Sequence, residues 1–205
     1  MSIMEYDAFK MLFGPLSDQP DFGMTSSYEF NVLMALSTWF KPEAVVEIGV
    51  YKGLTAKNIL GNSPWIKRYT GVDIDSDKIG EEFIRAYSES NELARNNREV
   101  QKEPGAEAKS DPRFRMVLLD NENALKVEDV APADMIFIDG DHRYEAVKRD
   151  SAIARKALRN NRGVLVWHDY ADGLGVVRYV DECNIAGGQK ICLIEKTSIC
   201  FEVVK

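Results

Sequence analysis

Five short, largely apolar runs, at 44–48, 69–73, 115–119, 134–138 and 163–167, alternate with segments of helical spacing. A strand that is apolar on both faces has to be covered on both faces, so such runs read as the inner strands of a parallel sheet. The intervening segments supply the cover. Helices are expected at 55–60, from Asp77 onward, at 122–126, at 143–158 and at 175–183. Two further β-rich runs, 190–195 and 199–204, follow each other too closely for a helical crossover and should form an antiparallel hairpin. The expected fold class is α/β: a Rossmann-like, doubly wound sheet, mostly parallel, with a C-terminal antiparallel hairpin and helices on both faces.

A chain of 205 residues suits one domain with a substantial core, here 1–205. Residues 1–42 read as an N-terminal helical extension, irregular as far as Gly23. Ser26 can cap the helix that follows, with Glu29 completing a capping box, before Phe30, Leu33, Met34 and Phe40 recur at helical spacing and Pro42 stops it. Residues 85–112 are long for a connection and read as a helix extension plus an insertion, a candidate lid over the substrate.

Composition excludes several classes. With 45% hydrophobic and 29% charged residues the chain is globular in character. A net charge of -7 argues against a protein whose main task is to grip nucleic-acid phosphates. No run approaches the ~20 apolar residues needed to cross a bilayer, and MSIMEYDAFK lacks the basic-then-apolar layout of a signal peptide. A cytoplasmic protein is expected. Cys183, Cys192 and Cys200 are odd in number and form no CxxC, so they read as reduced, packed thiols. The two chain ends and 85–112 are the candidate elements for a homo-oligomer.

The first chemical motif is Glu47-Ile48-Gly49-Val50-Tyr51-Lys52-Gly53, a glycine-containing turn between the first inner strand and a helix. Glycine permits a tight turn and close approach of a ligand, and the helix N-terminus favours negative charge. The middle glycine of a dinucleotide fingerprint is replaced by Tyr51. The second strand ends at Asp73, where an acid can accept hydrogen bonds from both hydroxyls of a ribose. The third ends at Asp120-Asn121, which can read an adenine amino group or cap the next helix.

VVEIGVYKG, YTGVDID, VLLDNENAL and MIFIDGDHRYEAVKRD resemble, in order and spacing, successive motifs of class I S-adenosylmethionine-dependent methyltransferases. The resemblance covers about residues 24–205 and is nearest to the macrocin-type sugar and catechol-like O-methyltransferases. It implies Glu47 and Gly49 at the amino-acid end of S-adenosylmethionine, Asp73 on its ribose and Asp120 near its adenine. Tyr51, Gly53, Ile74, Asn121 and Asp139 join the candidate cofactor-binding set by position.

The second motif is a cluster of carboxylates and imidazoles. Asp139, Asp141 and His142 follow the fourth strand, and His168 and Asp169 the fifth, so both histidines of the chain fall at adjacent strand ends. Ligands of such sheets sit beyond those ends. One reading is a divalent metal site, Mg²⁺ or a softer ion, with Asp139 and Asp169 as ligands and His168 as a third. Sugar O-methyltransferases resembling this chain carry two acids before the tyrosine of the fifth strand, and His168 replaces the first. Strand alternation sends His168 and Asp169 to opposite sides unless the chain bends, puts Asp141 on the side of Asp139 and turns His142 away. The other reading is metal-free, with Asp141 or His142 as general base and His168 as a further catalytic group. The expected reaction is methylation of a small-molecule hydroxyl. Its rivals are a nicotinamide-dependent oxidoreductase and a non-catalytic nucleotide-binding module on the same fold. The basic run from Arg143 to Arg162 reads as a solvated face.

Overall fold

The computed structural model describes residues 2–5, 25–79, 103–186, 188 and 190–205. Its elements run β1 (Ser2–Met4), α1 (Ser27–Phe40), β2 (Ala44–Ile48), α2 (Leu54–Asn62), β3 (Arg68–Ile74), β4 (Phe114–Leu119), α3 (Val127–Val130), β5 (Met135–Ile138), α4 (Tyr144–Ala157), β6 (Gly163–Trp167), α5 (Gly175–Ala186), β7 (Cys192–Ile194) and β8 (Cys200–Val204).

One sheet of eight strands takes the order β1-β7-β8-β6-β5-β2-β3-β4. β8 is antiparallel to β6 and β7, and every other pairing is parallel. The apolar runs alternate between two cores, as the strand period of two requires. Met135 and Phe137 of β5, with Val45, Tyr69, Val164 and Val166, pack against Phe30, Leu33 and Met34 of α1 and Ala56, Ile59 and Leu60 of α2. Ile136 and Ile138, with Val46, Val72, Leu165 and Trp167, pack against Val147, Ala154 and Ala157 of α4 and Val176, Tyr179 and Val180 of α5. The Rossmann-like architecture and the closing hairpin follow the pattern of the sequence.

Three details differ. A strand, β1, lies within the stretch expected to be irregular and pairs with β7 at the sheet edge. The short helix expected at 122–126 forms at Val127–Val130, because Asn121 folds its own turn by accepting Asn123 N–H at 2.9 Å. After β3 the described chain makes only a 3₁₀ turn, Ser76–Lys78, and the continuation of the helix expected there lies outside the described residues, as do 6–24 and the 85–102 part of the expected insertion. Residues 103–112 fold back on the glycine turn: Gly105 N–H donates to Tyr51 O at 2.7 Å and Glu107 N–H to Lys52 O at 2.9 Å. The three cysteines are free thiols, and Cys192 and Cys200 stand opposite Phe201 and Leu193. Among the described residues no helix is long and apolar enough to cross a membrane.

Candidate active site

The parallel strands β2, β3, β5 and β6 bring their carboxyl ends to one rim of the sheet, and the polar residues that follow them meet there. At the end of β2 the backbone takes positive φ at Gly49 (89°), Tyr51 (49°) and Gly53 (84°). A Cβ on Gly49 would lie 2.2 Å from the Asp139 carbonyl oxygen, so only glycine lets this turn pass the end of β5. Asp73 holds the turn from the other side. Its Oδ2 accepts the N–H groups of Val50 (3.1 Å) and Tyr51 (2.9 Å), and its Oδ1 that of Ile74 (2.8 Å). An ionised carboxylate has about four acceptor directions, which leaves capacity for another donor on Oδ1. Burial raises the Asp73 pKa, against the lowering effect of these backbone bonds.

Glu47 is only 1% exposed and accepts the Tyr69 hydroxyl at 2.9 Å. Burial, with the charges of Asp139 and Asp73 nearby, pushes its pKa well above the ordinary carboxylate range. Asp120 and Asn121 are exposed at the end of β4. Asp120 is not the cap of the next helix, whose N-cap is Lys126.

The second group gathers beyond β5 and β6. Ile138 and Trp167 are in register, which sets Asp139 beside His168. His168 Nδ1 lies 3.0 Å from Asp139 Oδ1 and 3.2 Å from Asp169 Oδ2, and Nε2 lies 3.4 Å from Glu29 Oε2. Strict alternation would have separated His168 from Asp169. Asp169 instead takes a left-handed φ of 56°, which curls the strand end and brings both side chains to Asp139. His142 also turns inward, with Nε2 2.8 Å from Asp169 Oδ2, since 139–143 is no longer strand. Asp141 does not join them. Its two oxygens accept Arg143 N–H (2.9 Å) and Arg143 Nε–H (2.7 Å), a turn that leads into α4.

Burial opposes charge on both imidazoles, but the neighbouring carboxylates outweigh it. Asp139, Asp169 and Glu29 hold the His168 pKa well above that of a free histidine, and Asp169 with Asp139 raises that of His142. Burial likewise opposes charge on Asp169 and Glu29, yet the histidines keep Asp169 ionised far into acid, and His168 with Ser198 does the same for Glu29. Behind the 139–142 loop, Asp150 of α4 is 4% exposed, and burial, with Asp141 nearby, pushes it up to about 6 despite Arg149 Nε at 3.1 Å.

Asp139, His168 and Asp169 each offer a ligand atom within 4.8 Å of the others. Both His168 nitrogens are buried without a well-aligned hydrogen bond, as expected of a ring whose lone pair is meant for something else. Two carboxylates and an imidazole fit a divalent cation such as Mn²⁺, Fe²⁺ or Zn²⁺, and less specifically Mg²⁺.

Glu29 is the residue that sequence reasoning missed here. It read only as the capping-box partner of Ser26, which it is. Its second oxygen crosses to the β7–β8 turn, accepting Ser198 N–H at 3.0 Å and Ser198 Oγ–H at 2.6 Å. The acidic side chain one turn into a helix was the available signal, and its far partners depend on the tertiary fold. The basic run is largely paired within the chain: Arg143 with Asp141, Arg149 with Asp150, Arg155 with Glu202 and Arg159 with Asp134.

Residues 46–170 match the model of the methyltransferase domain family. No curated protein sequence matches the chain significantly. Solved structures of similar fold include a Staphylococcus aureus protein assigned as a caffeoyl-CoA O-methyltransferase (15% identity, TM-score 0.60, covering 89% of this chain and 86% of that one). They also include the Podospora anserina methyltransferase PaMTH1 bound to S-adenosylhomocysteine (14%, 0.56, 89% and 80%). A third is the O-methyltransferase TomG of Streptomyces achromogenes, involved in tomaymycin synthesis, in complex with S-adenosylmethionine (17%, 0.54, 98% and 87%). With more than half of its length matched by the family model, and with the strand-end turn and acids that the motifs announced, the chain belongs to the methyltransferase domain family and is a class I S-adenosylmethionine-dependent methyltransferase.

Proposed function

We propose that this methyltransferase methylates a hydroxyl oxygen of a small molecule, with a divalent cation held by Asp139, His168 and Asp169. The observation that carries the reading is the convergence of these three side chains and His142 at the rim that also bears the Gly49 turn and Asp73. A site crowded with acids and imidazoles suits removal of a hydroxyl proton. The O-methyltransferases of similar fold are consistent with an oxygen acceptor.

S-adenosylmethionine supplies a methyl group on a positively charged sulfur, ready for in-line attack. The chain's part is to bind, align and exclude water. The 49–53 turn and Glu47 are assigned to the amino-acid end, Asp73 and Ile74 to the ribose, and Asp120 and Asn121 to the adenine side. A bound cation would lower the pKa of a coordinated hydroxyl. His142 is placed in the role of base, because Asp169 orients its ring, whereas Asp141 is committed to Arg143. As the new oxygen–carbon bond forms, the carbon–sulfur bond breaks, the hydroxyl proton passes to the base and the sulfur leaves as a neutral thioether.

The test is calorimetric titration with S-adenosylhomocysteine, with and without Mn²⁺ or Mg²⁺. Micromolar binding that is lost in Asp73→Ala, and a metal heat that is lost in Asp139→Asn, are the expected results. A folded protein that binds neither S-adenosylhomocysteine nor S-adenosylmethionine overturns the assigned site.

A further inference from the structure

Glu29 is a buried charge to which the proposed mechanism gives no task. It is 9% exposed and sits on α1, ahead of the matched methyltransferase domain. Both its oxygens are occupied. Oε1 accepts from the N–H and Oγ–H of Ser198, and Oε2 from the N–H and Oγ–H of Ser26 (3.0 and 2.7 Å). Anchored at both ends, it faces His168 Nε2 at 3.4 Å, while Nδ1 on the opposite side of the ring faces Asp139 and Asp169.

We infer that Glu29 is a positioning residue for a metal-ligating His168: its fixed charge, facing Nε2, favours the proton on that nitrogen and so the tautomer that points the Nδ1 lone pair between Asp139 and Asp169. The inference rests on the metal reading proposed above. Histidines that bind metals commonly give their other N–H to a carboxylate, which sets the ring's tautomer and orientation and raises its basicity. A carboxylate fixed by four hydrogen bonds from two separate segments can hold such a ring with little reorganisation. The geometry also assigns a task to the β7–β8 turn, since Ser198 keeps Glu29 extended toward the ring.

The decisive comparison is Mn²⁺ binding to the full chain, read by calorimetry and by electron-spin-echo nitrogen modulation, in wild type, Glu29→Gln, His168→Ala and Ser198→Ala. Glutamine can still serve in a capping box, so the helix should form. We expect nitrogen coupling in wild type that disappears in His168→Ala, about 10–100-fold weaker Mn²⁺ binding in Glu29→Gln, and a smaller loss in Ser198→Ala. Should Glu29→Gln fail to fold, Glu29→Asp, which keeps the charge and shortens the reach, carries the same comparison. Absence of Mn²⁺ binding or of nitrogen coupling in wild type, or equal affinity in wild type and the Glu29 variant, overturns the inference. S-adenosylhomocysteine binding in the same samples separates the failures: if it persists, only the roles of Glu29 and the metal fall; if it is absent from folded wild type, the assigned cofactor site falls with them.

Discussion

Replacing Asp150 by asparagine should stabilise the protein at neutral pH and do so much less in mild acid. Asp150 is 4% exposed, and burial moves its pKa from the ordinary 3.8 to about 6. At about 1.4 kcal/mol per pH unit, that displacement corresponds to about 3 kcal/mol. The folded state keeps the proton to higher pH than the unfolded chain does. Stability from this group is therefore complete below pH 3.8, falls as pH rises to about 6 and is flat above. The substituted amide carries no charge to desolvate, and the displacement of about 3 kcal/mol is already net of the opposing bond with Arg149. The expected gain is about 3 kcal/mol at pH 7.5, or roughly 6–12 °C in Tm for a chain of this size. Urea denaturation of Asp150→Asn and wild type at pH 4.5 and pH 7.5 measures it, and taking the difference between the two proteins cancels the other titrating groups. A difference that is the same at both pH values, or a variant less stable at pH 7.5, would refute the reasoning.

Gly49→Ala should destabilise by about 2–5 kcal/mol and abolish S-adenosylhomocysteine binding, since the added methyl meets the Asp139 carbonyl and the backbone sits at positive φ; thermal melts and calorimetry check both parts. Ser151→Ala should cost about 1–3 kcal/mol in urea denaturation, because it strips the buried Trp167 Nε1–H of its acceptor at 2.8 Å. Native protein treated with a thiol reagent should label Cys183 and Cys192 before Cys200, whose thiol is fully buried and pushed up in pKa by that burial; peptide mapping gives the order.

The strands were legible because residues such as Val45, Val46, Met135, Ile136 and Phe137 are apolar in succession, and only a doubly covered strand satisfies that pattern. Adjacency of β5 and β6 followed from it, and with it the meeting of Asp139 and His168. That His168 and Asp169 both reach Asp139, and that His142 turns in to join them, was not legible. It depends on a left-handed φ at a residue that is not glycine, a conformation with no reliable local signal. Glu29 was legible as a cap, since a capping box is local, but its bond to Ser198 spans 169 positions and exists because β8 is laid beside β6. β1 offers three residues, too few for periodicity to speak, and is defined by its partner β7.

The place of β8 between β6 and β7 also dictates when this enzyme can come into being on the ribosome. The rim that bears Asp73 and Asp139 can assemble from residues already emerged by about 170, yet the Glu29 carboxylate facing His168 waits for Ser198, and β1 stays unpaired until 192–194 is made. A nascent chain stalled before that point would expose the open edge of β6 and hold Glu29 without its second anchor. The group of side chains around His168 is therefore complete only once the β7–β8 hairpin has been made.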